Sequence, residues 1–303
     1  MIPLTPLGVG GGPLGNLYTP VSDEDAFAAL EAAWDAGVRY FDTAPHYGLG
    51  LSERRLGEFL RGRPRNSFVV STKVGRLLEP SSAGGDDLAN GFAVPATSRR
   101  VWDFGADGVR RSLESSLERL GLDRVDVVYL HDPDDHWERA ASSAVPALVS
   151  WREQGIVDAV GVGMNQWELP ARFVRETGVD VVLLAGRYTL LDRSGAPLLD
   201  LCAERGVPVV AAGVFNSGLL VGGGTYDYRT APPGPVARAR RVAGVCERYG
   251  VALPSAAVRF PLRHPAVVSV LVGVRTAEEV RANAAALSAD VPDGLWEALE
   301  EPA

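Results

Sequence analysis

Cysteine is nearly missing from this chain: two, Cys202 and Cys246, stand far apart among 303 residues. That excludes a disulfide framework and offers no metal-like spacing, so a reduced compartment and no bound metal are expected. An excess of positive charge is also missing. The formal net charge is −8, which disfavours nucleic acid or an anionic membrane surface as partner. No apolar run reaches membrane length, and no charged start leads into an apolar core with a cleavage site. The expectation is a soluble, cytoplasmic protein. In the glycine-rich stretch 8–15, Gly10, Gly12 and Gly15 have Gly-x-Gly-x-x-Gly spacing, but the stretch reads as a close-approach turn after the first strand rather than as a dinucleotide fingerprint.

What is present is ordinary globular composition, 46% hydrophobic and 22% charged, in a chain long enough to bury a full core without cross-links. Short apolar runs alternate with helical patterns throughout. Strands are expected at 6–10, 39–42, 68–73, 125–131, 159–163, 181–185, 207–212 and 268–273. They are apolar nearly throughout, as suits parallel strands covered by helices. Helices are expected at 23–36, 52–60, 106–120, 145–154, 169–176, 196–204 and 277–286. Ser22 stands three residues before Asp25, and Thr276 three before Glu279, which is N-capping spacing. Gly37, Gly121, Gly155, Gly178 and Gly206 follow helical patterns, as left-handed stop residues do. Eight right-handed βα units close more readily than they form an open sheet. The predicted fold is α/β, a single (β/α)8 TIM barrel over residues 1–303. Two segments break the rhythm, 74–103 and 222–235, both rich in Gly and Pro. On the active face of a barrel they would wall a substrate site; the alternative is a plain surface insertion.

Four polar residues sit where apolar strands end. Asp42 closes the second strand, with Tyr47 in the following loop; Lys73 closes the third and His131 the fourth. A buried lysine needs an anion, and Asp42 is the strand-end candidate. A lysine beside a phenol stabilises the phenolate, so Tyr47 is expected to pass a proton near neutral pH. His131 would hydrogen-bond and orient a substrate oxygen. Each alone has a plainer reading: a cap for Asp42, a snorkelling surface lysine for Lys73, a structural role for the aromatic pair. Falling together at consecutive strand ends, they suit proton transfer on an oxygen whose carbon gains or loses a hydride.

VRYFDTAPHYGLGLSERRLGEF at 38–59, STKVG at 71–75 and DVVYLHDPD around His131 resemble the aldo-keto reductase family. The likeness continues through GVGMN at 161–165 to VGVRTAEEVRANAAAL at 272–287. It implies Tyr47 as general acid/base, Lys73 and Asp42 as the groups that tune it, His131 as the orienting residue, and a nicotinamide cofactor without a metal. GRLLEP at 75–80, LLAGRYTLLD at 183–192, FNSGLL at 215–220 and AAVRFPLRHPAVVSVLVG at 256–273 resemble one branch in particular. It contains L-fucose dehydrogenase, D-threo-aldose 1-dehydrogenase and pyridoxal 4-dehydrogenase, and it implies oxidation of a sugar hemiacetal at C1 to a lactone. A general aldehyde or ketone reductase, and a redox-sensing cofactor-binding subunit, are the other readings.

The sequence departs from the family pattern around the nicotinamide. Gly163–Met164 stands where a Ser-Asn pair is usual, with Asn165 one position later as substitute. Ala185 stands where glutamine is common, and Ala212 where an aromatic often stacks on the ring. Arg187 is a nearby polar candidate or a rim salt bridge. For the phosphates, Phe215, Ser217, Gly218 and Leu219 would offer backbone N–H groups, with the helix start after Gly273 adding its positive end. Arg275 and Asn283 match positions that meet the adenosine end. Glu279 lines up where NADP-preferring relatives often carry a basic residue, so NAD is slightly favoured over NADP. Glu279 also reads as a capping residue on the Thr276 N–H, and Arg275 could still pair with a phosphate. Trp102 and Trp137 are either mouth-lining or packing aromatics.

Overall fold

The computed structural model describes residues 3–82 and 84–300. Eight parallel strands form a closed barrel: β1 (Leu7–Gly10), β2 (Tyr40–Asp42), β3 (Val69–Val74), β4 (Val127–His131), β5 (Ala159–Met164), β6 (Val181–Ala185), β7 (Val209–Ala212) and β8 (Val267–Gly273). Each pairs with its neighbours in sequence, and β8 pairs back to β1. The strands lie within a residue or two of the sequence expectation.

Period-2 alternation builds two apolar layers. Tyr40, Val127, Tyr129, Val181, Leu183, Val210 and Leu271 fill the barrel interior. Phe41, Val70, Val128, Leu130, Val160, Val182 and Leu184 face outward and pack in the shell beneath the helices. Each buried Val or Leu contributes roughly 1.5–3 kcal/mol, so these two layers carry the fold. Among the described residues no helix is long and apolar enough to cross a membrane.

Helices α1 (Asp23–Asp35), α2 (Leu51–Leu60), α3 (Ala106–Leu120), α4 (Val145–Glu153), α5 (Glu168–Glu176) and α6 (Ala196–Arg205) follow β1 to β6 in turn. The Ser22 and Thr276 caps form as expected, each side chain accepting from the N–H three residues on. Four of the five stop glycines are left-handed. Gly178 is not: helix α5 ends at Thr177 in an extended conformation instead. Helices α7 (Pro233–Arg248), α8 (Leu253–Arg259) and α10 (Asp293–Glu300) lie outside the ranges named from the sequence. They surround a separate cluster containing Phe260, Leu295 and Trp296. The last barrel helix, α9 (Ala277–Ser288), packs on α1 and α8.

The 74–103 segment is not a plain loop. Arg76–Pro80 pairs antiparallel with Ser98–Trp102, and Asp86–Asp87 with Phe92–Pro95. Phe92 is buried against Leu17, Tyr47 and Leu49, which gives the insertion a small core of its own. The 222–235 segment likewise carries a hairpin, Thr225–Tyr226 with Arg229–Thr230. Its two turn residues, Asp227 and Tyr228, both have positive φ, as a type I′ turn requires.

Candidate active site

Alternation decides which side chains meet. With Tyr40 inward, Asp42 is inward; Ser71 and Lys73 share the inner face of β3; Tyr129 and His131 share that of β4. Lys73 Nζ lies 2.5 Å from Asp42 Oδ2 and donates to Thr43 O at 3.0 Å. Asp42 Oδ1 accepts from the Ser71 hydroxyl at 2.7 Å. The Tyr40 hydroxyl bridges onward, 3.1 Å from both the Ser71 and Tyr129 oxygens. Ser71, Tyr40 and Tyr129 escaped the sequence reading, yet each stands two residues before a predicted site residue, and strand periodicity was signal enough.

Tyr47 is seated by backbone crossing. A Cβ on Gly15 would lie 2.5 Å from the Tyr47 carbonyl carbon, and one on Gly48 would lie 2.2 Å from Gly15 O. Neither position admits a side chain, so the 8–15 turn makes the close approach its glycines imply. Lys73 Nζ then lies 4.7 Å from the Tyr47 ring centre, and the His131 ring stands edge-on to Tyr47 at 5.9 Å.

Burial pulls the Lys73 ammonium down, but Asp42 and Tyr47 outweigh it and hold it above its ordinary value. Burial pushes the Tyr47 phenol up; Lys73 pulls it back only in part, and Asp42 raises it again. This corrects the expectation of a lowered phenol, because desolvation outweighs the ammonium. At neutral pH Tyr47 is a protonated phenol, the form of a proton donor. Burial, with the charges of Arg76 and Lys73, pushes His131 well below the usual imidazole range. It is a neutral ring, and among the described residues its buried Nδ1 has no hydrogen-bond partner.

The insertion reaches this centre through His46. Arg100 donates to both carboxylate oxygens of Asp87, at 2.7 and 2.6 Å, and through Nε to His46 Nδ1. Burial and the nearby Arg76 and Arg100 charges drive the His46 pKa down to about 2. Beyond His131 a cavity of about 590 Å³ opens, lined by Arg76, Trp102, Asp132, Asp134, Asp135 and Asn165, among others. Arg76 and Asp132 form an ion pair there. Trp102 therefore lines the mouth. Trp137 does not: it packs edge-on against Phe173 at 4.7 Å under the Arg172 guanidinium.

The predicted cofactor residues divide. Asn165 lines the cavity, and its Oδ1 accepts from the Tyr228 hydroxyl at 3.2 Å. Tyr228 is 54% exposed, and its hydroxyl reaches Asn165 at the cavity edge, with Tyr47 and Asp132 among its neighbours. Arg187 forms the rim salt bridge, to Asp227 at 2.9 Å. In 215–219 the N–H groups of Gly218 and Leu219 are spent inside the turn, on Phe215 O and Asn216 O. That corrects their expected role as free donors. The Ser217 hydroxyl accepts from Tyr228 N–H at 3.0 Å, tying the hairpin down. Asn283 lies on α9 beside Gly8 and Val38. Glu279 Oε2 accepts from Arg275 N–H at 2.7 Å, one residue before the expected partner, Thr276. Gly273, at the end of β8, stands against Pro13.

Among the described residues, Arg275 Nε and the Asn216 amide are buried in this region without partners. Tyr18, which sequence reasoning missed, lies beside Ser217 and Arg275. A guanidinium with unspent neutral donors fits the diphosphate of a dinucleotide. Among the described residues no three His, Cys, Asp or Glu side chains are placed to hold a metal ion.

The model of the Aldo/keto reductase family matches residues 6–302. The chain belongs to that family. Family membership brings a nicotinamide cofactor with it. A D-threo-aldose 1-dehydrogenase from a Pseudomonas species is 48% identical, over 97% of this chain and 93% of its own length. A pyridoxal 4-dehydrogenase from Microbacterium luteolum is 41% identical, over 98% and 93%. Among solved structures, the holo form of an aldo-keto reductase from Bacillus halodurans superimposes with a TM-score of 0.78 at 22% identity, covering 98% of this chain and 91% of its own. That likeness is one of fold.

Proposed function

We propose that this reductase-family enzyme oxidises an aldose at C1 to the lactone, with Tyr47 taking the proton from the C1 hydroxyl. One observation carries the reading: a buried Lys73–Asp42 pair and a neutral His131 converge on Tyr47, with a polar cavity lined by the neighbouring Asp132 and Arg76. A buried ion pair stabilises a fold no better than apolar residues would, so its presence here points to chemistry. Lys73 holds the phenol oxygen's proton exchange within reach. His131 presents a neutral ring to orient the substrate oxygen. The nicotinamide, when bound, supplies the acceptor for the hydride that leaves C1. Asn165 and Arg275 would hold its two ends, with the Ser217 turn and Gly273 between them; Phe215, Gly218 and Leu219 shape that turn, and Asn283 completes the adenosine side. The sugar class is supported by the polar, Trp-lined cavity and by the aldose dehydrogenase relative.

NAD is the favoured cofactor, because the Glu279 carboxylate stands beside Arg275, its Oε1 4.0 Å from the guanidinium, and would repel a 2′-phosphate. A second reading, reduction of small aldehydes, is favoured by the protonated state of Tyr47 at neutral pH. A turnover panel of aldoses and aldehydes with NAD, NADP and their reduced forms tests both. The first reading predicts aldose oxidation at higher kcat/KM with NAD. Aldehyde reduction without any aldose oxidation selects the second, and a protein that binds cofactor but turns over nothing would refute both.

A further inference from the structure

The cavity beside His131 is unevenly charged. Three carboxylates line it, Asp132, Asp134 and Asp135, against a single guanidinium, Arg76. That guanidinium is already committed. It is ion-paired with Asp132, and the two side chains are only 11% and 18% exposed. Releasing it to a ligand would leave Asp132 half-buried and unpaired beside the incoming group. If that group were an anion, the two would repel. Among the described residues Asp134 accepts only from the Gln166 amide, at 3.3 Å, and neither Asp134 nor Asp135 has a cationic partner.

Other groups in the same wall suit a neutral polyol. Trp102 is 46% exposed, with the Arg76 guanidinium carbon 5.5 Å from its ring centre. An indole open on that scale offers an apolar surface to the C–H face of a sugar ring. The carboxylate oxygens of the mouth can accept from pairs of hydroxyls.

We propose that this mouth selects its substrate by charge: it takes uncharged polyhydroxylated aldehydes or hemiacetals and rejects anionic sugars, aldose phosphates and uronic acids alike. The proposal rests on the aldose reading above and narrows it to one class. Asp134 and Asp135 are the specificity-determining residues. They act through repulsion across the mouth, and their plainer role would be that of a solvated rim.

Reduction of methyl 4-formylbenzoate and of 4-formylbenzoate, nearly the same size but neutral and anionic, tests the charge term apart from the sugar. Wild type should use the ester with a kcat/KM at least about tenfold higher, and the ratio should shrink as ionic strength rises from about 20 to 500 mM. The double variant Asp134→Asn/Asp135→Asn should move the ratio toward unity. D-arabinose against D-arabinose 5-phosphate, in the oxidative direction, should show the same order of preference. Equal use of ester and carboxylate, or a ratio that neither salt nor the double variant moves, overturns the proposal while the functional reading stands. Absence of turnover on every aldehyde and aldose, with either cofactor, overturns the functional reading and this proposal with it. The salt series on wild type decides the matter even if the double variant fails to fold.

Discussion

Lys73 Nζ and Asp42 Oδ2 lie 2.5 Å apart inside the barrel, with their side chains 2% and 4% exposed. Removing one partner strands the other. Lys73→Met should therefore lower stability by about 3–5 kcal/mol, while Lys73→Met/Asp42→Leu should recover most of that loss and remain inactive. Urea unfolding of the three proteins, with turnover measured alongside, checks this. A double variant as unstable as the single would mean the pair is needed for folding.

The raised Tyr47 pKa sets a pH dependence with a definite sign. The phenol stays protonated through neutrality and is lost only as pH rises through a value above its ordinary 10.0. Reduction, which consumes that proton, should be flat across neutral pH and fall in alkali. Oxidation, which needs the phenolate, should rise in alkali. Because His131 is held well below 6.5, neither profile should break near 6.5. A profile for reduction that breaks near 6.5 would show His131 titrating where burial is said to forbid it.

Residues 86–97 hold Asp87 and Phe92, which brace Arg100, His46 and Tyr47. Shortening this segment strands the buried Arg100 guanidinium. It should lower the melting temperature as well as kcat, where a bare surface loop would change KM and substrate preference alone. Asp87→Asn keeps the shape, removes the charge, and should reproduce the stability loss in part. Thermal melts unchanged in both variants would return the segment to the status of a surface insertion.

Glu279→Gln separates capping from cofactor choice. Its amide oxygen can still accept from Arg275 N–H, so stability should change by less than about 1 kcal/mol. The kcat/KM ratio should move toward NADP. Stopped short of that, with the ratio unchanged or with wild type preferring NADP by about tenfold, Glu279 is a capping residue and no more.

The barrel was legible because parallel strands buried on both faces write mostly apolar runs, and three of them carry a polar residue that breaks the run at or next to the end: Asp42, Lys73, His131. The tetrad needed only topology to bring it together. The polar relay behind it was less visible, since Tyr40 and Tyr129 look like core aromatics until the inward register is known. Tyr228 was illegible for a different reason. Its place depends on a two-residue turn inside a Gly- and Pro-rich segment, and no periodicity marks which tip will fold into the mouth. The Tyr47 shift was misjudged because sequence places the lysine beside the phenol but does not say how completely both are desolvated.

Replacing Tyr47 by Phe is the most direct test of the mechanism. The variant keeps the ring that packs against His46, Phe92 and His131 and removes only the hydroxyl. Single-turnover rates, where chemistry limits, should fall by about 10²–10⁴-fold while reduced-cofactor binding, read by fluorescence, persists. A Tyr47→Phe enzyme that keeps more than about half of the wild-type rate, against the loss expected of a positioned acid/base, would contradict the assignment of Tyr47 as the proton carrier.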